Sequence, residues 1–245
     1  MTTEKSLAGK LVLVTGASRG IGYQTALEAG RRGAHVVAVA RTVGGLEELD
    51  DEIQAAGGAT TLVPLDLTDG DGIDRLGQAV FERWGKLDGL VINAATLGVI
   101  SPLAHVAPKE FDKVMALNVT ASYRLLRSLD LLLRRAEAGR VVLVSSSSAQ
   151  SARAFWGPYA ASKAALEALA KSYAAEMGGA TPVRVNVFYP GAVRTAMRAR
   201  AVPGEDPSTL PPPSVVAAPI IDMIEAGYDA NRTLVDFDKG TTTAL

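Results

Sequence analysis

Residues 14–22 read Val-Thr-Gly-Ala-Ser-Arg-Gly-Ile-Gly, directly behind the apolar run Leu11–Leu13. Three glycines, Gly16, Gly20 and Gly22, therefore separate an evident strand from a helical stretch at about 20–32. Glycine lacks a Cβ, so a backbone made of it can come close to a bulky group and can take φ > 0. A helix that begins at such a turn aims free N–H groups and about half a positive charge at whatever lies in front of it. A plain tight turn would explain the glycines. Their place between the first strand and the first helix is also where a dinucleotide-binding turn has to sit.

Working outward, apolar runs alternate with helix-like segments. The strands expected are 11–15, 35–40, 60–66, 87–93, 140–145, 183–189 and 233–238, about seven in all. The helices expected are 20–32, 44–56, 72–84, a long one at 108–134, and 158–177. Strands that are apolar at nearly every position expect cover on both faces, and strand–helix alternation implies a mainly parallel sheet. The fold class is therefore α/β, a Rossmann-type doubly wound sheet in a single domain over 1–245, with its core at about 8–240. Only 202–214, rich in proline and glycine, reads as a mobile surface segment, within a variable stretch at 196–215 that would shape the pocket.

The bulk numbers exclude several classes. In 245 residues, 25 basic side chains meet 26 acidic ones, which argues against a general nucleic-acid binder. With no cysteine, disulfides and thiolate zinc sites are ruled out. The two histidines, His35 and His105, lie far apart and suggest no metal site; they read as structural and surface residues. The first ten residues are polar and lack the apolar centre of a signal peptide, and no run approaches the ~18 apolar residues that span a bilayer. The expectation is a soluble cytoplasmic protein.

The spacing T-G-x-x-x-G-x-G over 15–22 resembles that of the short-chain dehydrogenase/reductase family, and the resemblance extends over about 8–240. It implies that Gly16, Ser18, Arg19, Gly20, Ile21 and Gly22 cradle a nicotinamide cofactor. The end of the second strand reads Ala40-Arg41 where an acidic residue would favour NAD. Arg41 and Arg19 suit a 2′-phosphate through forked, charge-assisted bonds, so NADP(H) is expected over NAD. Asp66, with Leu67, resembles the adenine-contacting position, although Asp66 could equally cap the following turn.

Tyr159 and Lys163, in Tyr-Ala-Ala-Ser-Lys, are spaced i and i+4 and share a helix face. A nearby ammonium lowers a phenol's pKa, and a tyrosine tuned in this way can exchange a proton with a carbonyl or alcohol oxygen as hydride moves. The family resemblance implies that the serine thirteen residues earlier, Ser146, holds the substrate oxygen. It also implies that Asn118, mid-helix, holds a water connecting the lysine to solvent. Pro190, Gly191, Val193 and Thr195 resemble the segment that contacts the nicotinamide amide and the pyrophosphate. Asn93 and Ala94 match the family's loop after the fourth strand, whereas Ile92 and Ala95 do not. An alanine at 95 would cost roughly 1 kcal/mol if the backbone there needs φ > 0. Phe155, Trp156 and Tyr189 are equally placed to line a pocket or to fill a core.

The resemblance implies an oxidoreductase acting on a carbonyl/alcohol pair. Alternatives are a nucleotide-binding sensor or scaffold without turnover, and an epimerase or dehydratase using the same tyrosine. Assembly as a homodimer or homotetramer through the long helix and the tyrosine-bearing helix is implied as well.

Overall fold

The computed structural model describes residues 5–245, so the first four residues of the polar opening stretch lie outside it. The strands are β1 (Leu11–Thr15), β2 (His35–Ala40), β3 (Ala59–Pro64), β4 (Gly89–Ile92), β5 (Arg140–Val144), β6 (Arg184–Tyr189), β7 (Thr233–Asp236) and β8 (Thr241–Ala244). The helices are α1 (Gly20–Arg31), α2 (Val43–Ala55), α3 (Gly70–Trp84), α4 (Pro108–Met115), α5 (Ala121–Arg135), α6 (Ser148–Ser151), α7 (Gly157–Met177), α8 (Ala196–Ala201) and α9 (Ser214–Asp222). One sheet takes the order β3-β2-β1-β4-β5-β6-β7-β8. All pairings are parallel except β7 with β8.

The continuous apolar runs are explained by two cores. Side chains alternate across a strand, so Leu11 and Leu13 enter one core with α3, α5 and α7. Val12 and Val14 enter the other with α1, α2 and α9. β2 divides in the same way, Val37 and Val39 from Val36 and Ala38. Edge strand β3 is the exception, intermediate or exposed at every position.

Local chemistry sets the helix limits. The Asp69 carboxylate accepts from Gly72 N at 3.0 Å and caps α3, which Gly85 ends at φ 70. Arg32, just past α1, donates to Glu28, Asp222 and Glu225 at 2.6 to 2.8 Å, and so clasps α9 onto α1.

Three expectations need correction. The sheet has eight strands rather than about seven, because the all-exposed Thr241–Ala244 pairs along β7. The long helix is not uniform: a π-helical turn at Ala116–Thr120 separates α4 from α5. The expected helices omit α9, which forms at Ser214–Asp222 with Val216, Ile220 and Ile221 fully buried, directly after the surface stretch 202–214 and its 3₁₀ turn, Pro207–Thr209.

Candidate active site

The strand order reverses between β1 and β4, and a crevice opens there at the carboxyl ends of the strands, where open α/β sheets bind their ligands. A cavity of about 600 Å³ fills it. Every site residue expected from the sequence lines this cavity except Gly22 and Asn118.

The glycine turn forms one wall. Gly16 has φ +69 and Gly20 φ +61, both in the region that side chains disfavour. A Cβ on Gly16 would stand 2.9 Å from Asn93 Nδ2, and one on Gly22 only 2.3 Å from the Gly16 carbonyl oxygen. Gly22 therefore lets α1 pack directly beneath the turn, and it faces the turn's backbone rather than the cavity. Thr15 and Asn93 pin this wall to β4. Thr15 Oγ1 accepts from the backbone N–H of Asn93 at 3.0 Å and of Ala94 at 3.1 Å, and Asn93 Nδ2 donates to Thr15 O at 2.9 Å. Arg19, at the N-cap of α1, makes no side-chain cap. The helix's first N–H groups are thus left to the cavity, as an anionic ligand requires. Ala95 is not among the positive-φ residues, so the alanine there carries no such strain.

At the far end, Arg41 lies with its side chain 65% exposed and its Nη1 3.6 Å from Asp66 Oδ2. Asp66 accepts from the backbone N–H and the hydroxyl of Thr68 at 2.9 and 2.8 Å. Those bonds, the backbone one first, and the Arg41 guanidinium hold its carboxyl below the usual range despite burial. Asp66 thus caps its turn and also faces the cavity. On the opposite rim Thr195 caps α8, its Oγ1 accepting from Arg198 N at 3.1 Å, and Arg198 pairs with Glu205 across the following loop.

The remaining wall is α7 against β5. Pro158 in the first turn starts the helix without needing an N–H partner. Tyr159 and Lys163 point the same way, with Lys163 Nζ 5.8 Å from the Tyr159 ring centroid. Both are buried, and Lys163 donates to Val144 O at 2.8 Å. Of the four serines after β5, Ser146 lines the cavity with Tyr159, its hydroxyl 3.2 Å from that of Ser148, while Ser145 turns inward and donates to Glu167 Oε1 at 2.7 Å. Trp156 packs edge-on against Tyr159 at 5.9 Å and lines the cavity. Phe155, at φ 72, is exposed, and Tyr189 is a core residue whose hydroxyl donates to Glu167 at 2.7 Å.

Asn118 stands apart from the cavity, one layer behind it. Its Oδ1 accepts from Thr96 N at 2.8 Å, and its Nδ2 donates to Thr96 O and to Ser162 Oγ, both at 2.9 Å. It ties the π-helical turn to the loop after β4 and to the middle of the Tyr159–Lys163 turn.

The electrostatics differ from expectation. Burial pushes the Tyr159 phenol up to about 12, and the neighbouring Ser146 hydroxyl opposes it only in part. Burial also pushes the Lys163 ammonium down to about 8, against the pull of the Glu167 charge. The lysine does not lower the phenol within the chain by itself, because burial disfavours the ammonium as well. Sequence reading missed Thr15 and Glu167. The signal for Glu167 was its place four residues after Lys163.

Known proteins share this fold and much of this sequence. The family model for short chain dehydrogenases matches residues 10–206. An uncharacterized oxidoreductase of Escherichia coli, YciK, is 36% identical over 235 residues, covering 95% of this chain and 92% of that protein. A short chain dehydrogenase structure from Salmonella enterica serovar Typhi superposes with TM-score 0.91 at 32% identity, covering 96% of this chain and 98% of that one. An Escherichia coli crystal structure complexed with NADPH gives TM-score 0.89 at 33% identity, with the same coverages. On its sequence and its fold, the chain belongs to the short chain dehydrogenase family.

Proposed function

We propose that this protein is an NADP(H)-dependent oxidoreductase that interconverts a carbonyl compound and an alcohol. The observation that carries this reading is the meeting of Ser146, Tyr159 and Lys163 in one cavity with the uncapped glycine turn of α1. The donor set suits a phosphorylated dinucleotide: free N–H groups and glycine backbone at the turn, and the guanidiniums of Arg19 and Arg41 beyond it. The structural relative complexed with NADPH supports the same cofactor. When bound, the nicotinamide supplies or accepts the hydride.

The chain's own residues do the rest. Ser146 holds the substrate oxygen beside the phenol. Tyr159, which keeps its proton at neutral pH, gives it to that oxygen as a carbonyl is reduced and removes it in the reverse direction. Lys163, as an ammonium, favours the phenolate left behind. Asn118 orders the turn behind the pair, through Ser162, and continues the proton path toward solvent. Gly16, Ser18, Gly20 and Ile21 hold the phosphates, with Asp66 and Leu67 at the adenosine end. Asn93, Ala94, Pro190, Gly191, Val193 and Thr195 orient the ring.

Self-association is part of the proposal. α7 exposes Ala161, Ala164 and Ala168, and α5 exposes Tyr123, Arg127 and Leu131; such faces allow two copies to pack closely. Light scattering should give a dimer or tetramer at micromolar concentration, and a monomer there contradicts this part. For the chemistry, NADPH oxidation is followed at 340 nm against a panel of ketones and aldehydes. Turnover on at least one carbonyl is expected, and tight NADPH binding with no turnover on any of them overturns the assignment.

A further inference from the structure

We infer that Glu167 is a positioning residue of this site, holding the strand end that carries Ser146 and setting the charge of Lys163. The inference rests on the oxidoreductase reading only for its kinetic consequence. Tyr159, Lys163 and Glu167 stand at i, i+4 and i+8 on α7, one ladder on one helix face. Glu167 is only 6% exposed. A buried carboxylate is costly unless it is paired or well hydrogen-bonded. Here one oxygen, Oε1, accepts two hydroxyls at 2.7 Å, Ser145 Oγ from the end of β5 and Tyr189 OH from the end of β6. No cation lies within ion-pair distance of it among the described residues.

Two consequences follow. Ser145 immediately precedes Ser146, so the bond to Glu167 fixes the backbone from which Ser146 enters the cavity that Tyr159 also lines. A glutamine could accept the same two hydroxyls, so the architecture alone does not require a charge. The groups facing Lys163 identify where the charge acts. From α7 they are Tyr159 and Glu167. From β5 come the Val144 carbonyl and the neutral serines 145 and 146. From β6 comes Tyr189, whose phenol burial and Glu167 both keep protonated. Asp236 of β7 acts on the Tyr189 phenol and is paired with Lys239 at 2.8 Å. Glu167 is thus the buried anion left to oppose desolvation of the Lys163 ammonium, as the direction of its influence on that group indicates. Without it the lysine would lose its proton nearer to neutral pH.

The test is Glu167→Gln, read in two ways. Lysine-selective NMR of the cofactor-free protein follows the Lys163 side chain, assigned by its absence in Lys163→Met. The midpoint of its titration should fall by about one pH unit in Glu167→Gln. For carbonyl reduction with NADPH, the alkaline limb of kcat/KM should move to lower pH by the same amount. Ser145→Ala and Glu167→Asp keep the carboxylate, so they should leave the midpoint close to that of the wild type. Should Glu167→Gln fail to fold, the double variant Glu167→Met with Tyr189→Phe removes the charge without stranding a phenol, and serves the same comparison. An unchanged Lys163 midpoint in the charge-removing variant overturns the inference. Wild-type protein that turns over no carbonyl overturns the oxidoreductase reading instead, and leaves the NMR result to stand alone.

Discussion

The glycine turn at 15–22 and the first two turns of α7 face one cavity from opposite sides, and they are made of opposite materials. The turn works through backbone. Its N–H groups are open, its glycines leave room for close approach, and Thr15 and Asn93 brace it from behind. The α7 wall works through side chains that burial has pushed toward their neutral forms, the Tyr159 phenol and the Lys163 amine. The difference teaches where each wall is fragile. The first should fail when an atom is added, the second when a functional group is removed.

The largest separation between the walls should come from Tyr159→Phe. Loss of a general acid predicts a fall in kcat of about 10²–10⁴-fold, with NADPH affinity by fluorescence titration little changed. Equal rates in mutant and wild type would reject the tyrosine's role. Next is Gly22→Ala on the opposite wall. The new Cβ meets the Gly16 carbonyl at 2.3 Å, and such overpacking should lower Tm by roughly 2–10 °C. NADPH binding should weaken in parallel, and an unaltered Tm and affinity would show that the turn yields more than its packing implies.

Lys163→Met sharpens the comparison through pH. The folded protein holds the ammonium at about 8 against an ordinary 10.5. Between those values the unfolded chain binds more protons, so wild-type stability rises with pH, fully present above 10.5 and lost as pH falls through 8. In urea unfolding the methionine variant should be the more stable at pH 7, with its advantage shrinking toward pH 10.5. An advantage equal at both ends contradicts burial as the cause. Arg41→Ala should cost about tenfold in NADPH affinity and leave NADH unaffected; equal loss for both cofactors would remove the arginine from the 2′-phosphate. Smallest is Arg198→Ala, which releases the Glu205 contact over the half-exposed rim. It should raise KM by at most about fivefold.

What was legible in the sequence follows the same division. The buried strands declare themselves because apolar side chains must fill both cores, and the glycine turn because no other residue fits at Gly16 and Gly22. Tyr159 and Lys163 are legible by helical spacing. β8 was not legible, since four exposed residues, three of them threonine, contribute backbone pairing and nothing to a core. α9 was hidden by Pro219 within it and by the prolines before it, which punctuate a loop as readily as they open a helix. Glu167 sat in an alanine-rich run that reads as a packing surface; its spacing from Lys163 was a signal, and the placement of Ser145 and Tyr189 gives that signal its meaning. The inward turn of Tyr189 and the outward turn of Phe155 depend on tertiary packing that composition does not encode.

The π-helical turn at Ala116–Thr120 gives the molecule a register it cannot lose. Such a turn carries one residue more than an α-helical path would. Excising any single residue from this stretch would let α4 and α5 fuse into a straight rod. The flanking turns would keep their phase, because the residue removed is the surplus one, and the change would fall on the turn itself. Asn118 would be carried off both Thr96 and Ser162, while no side chain in the cavity wall had been touched.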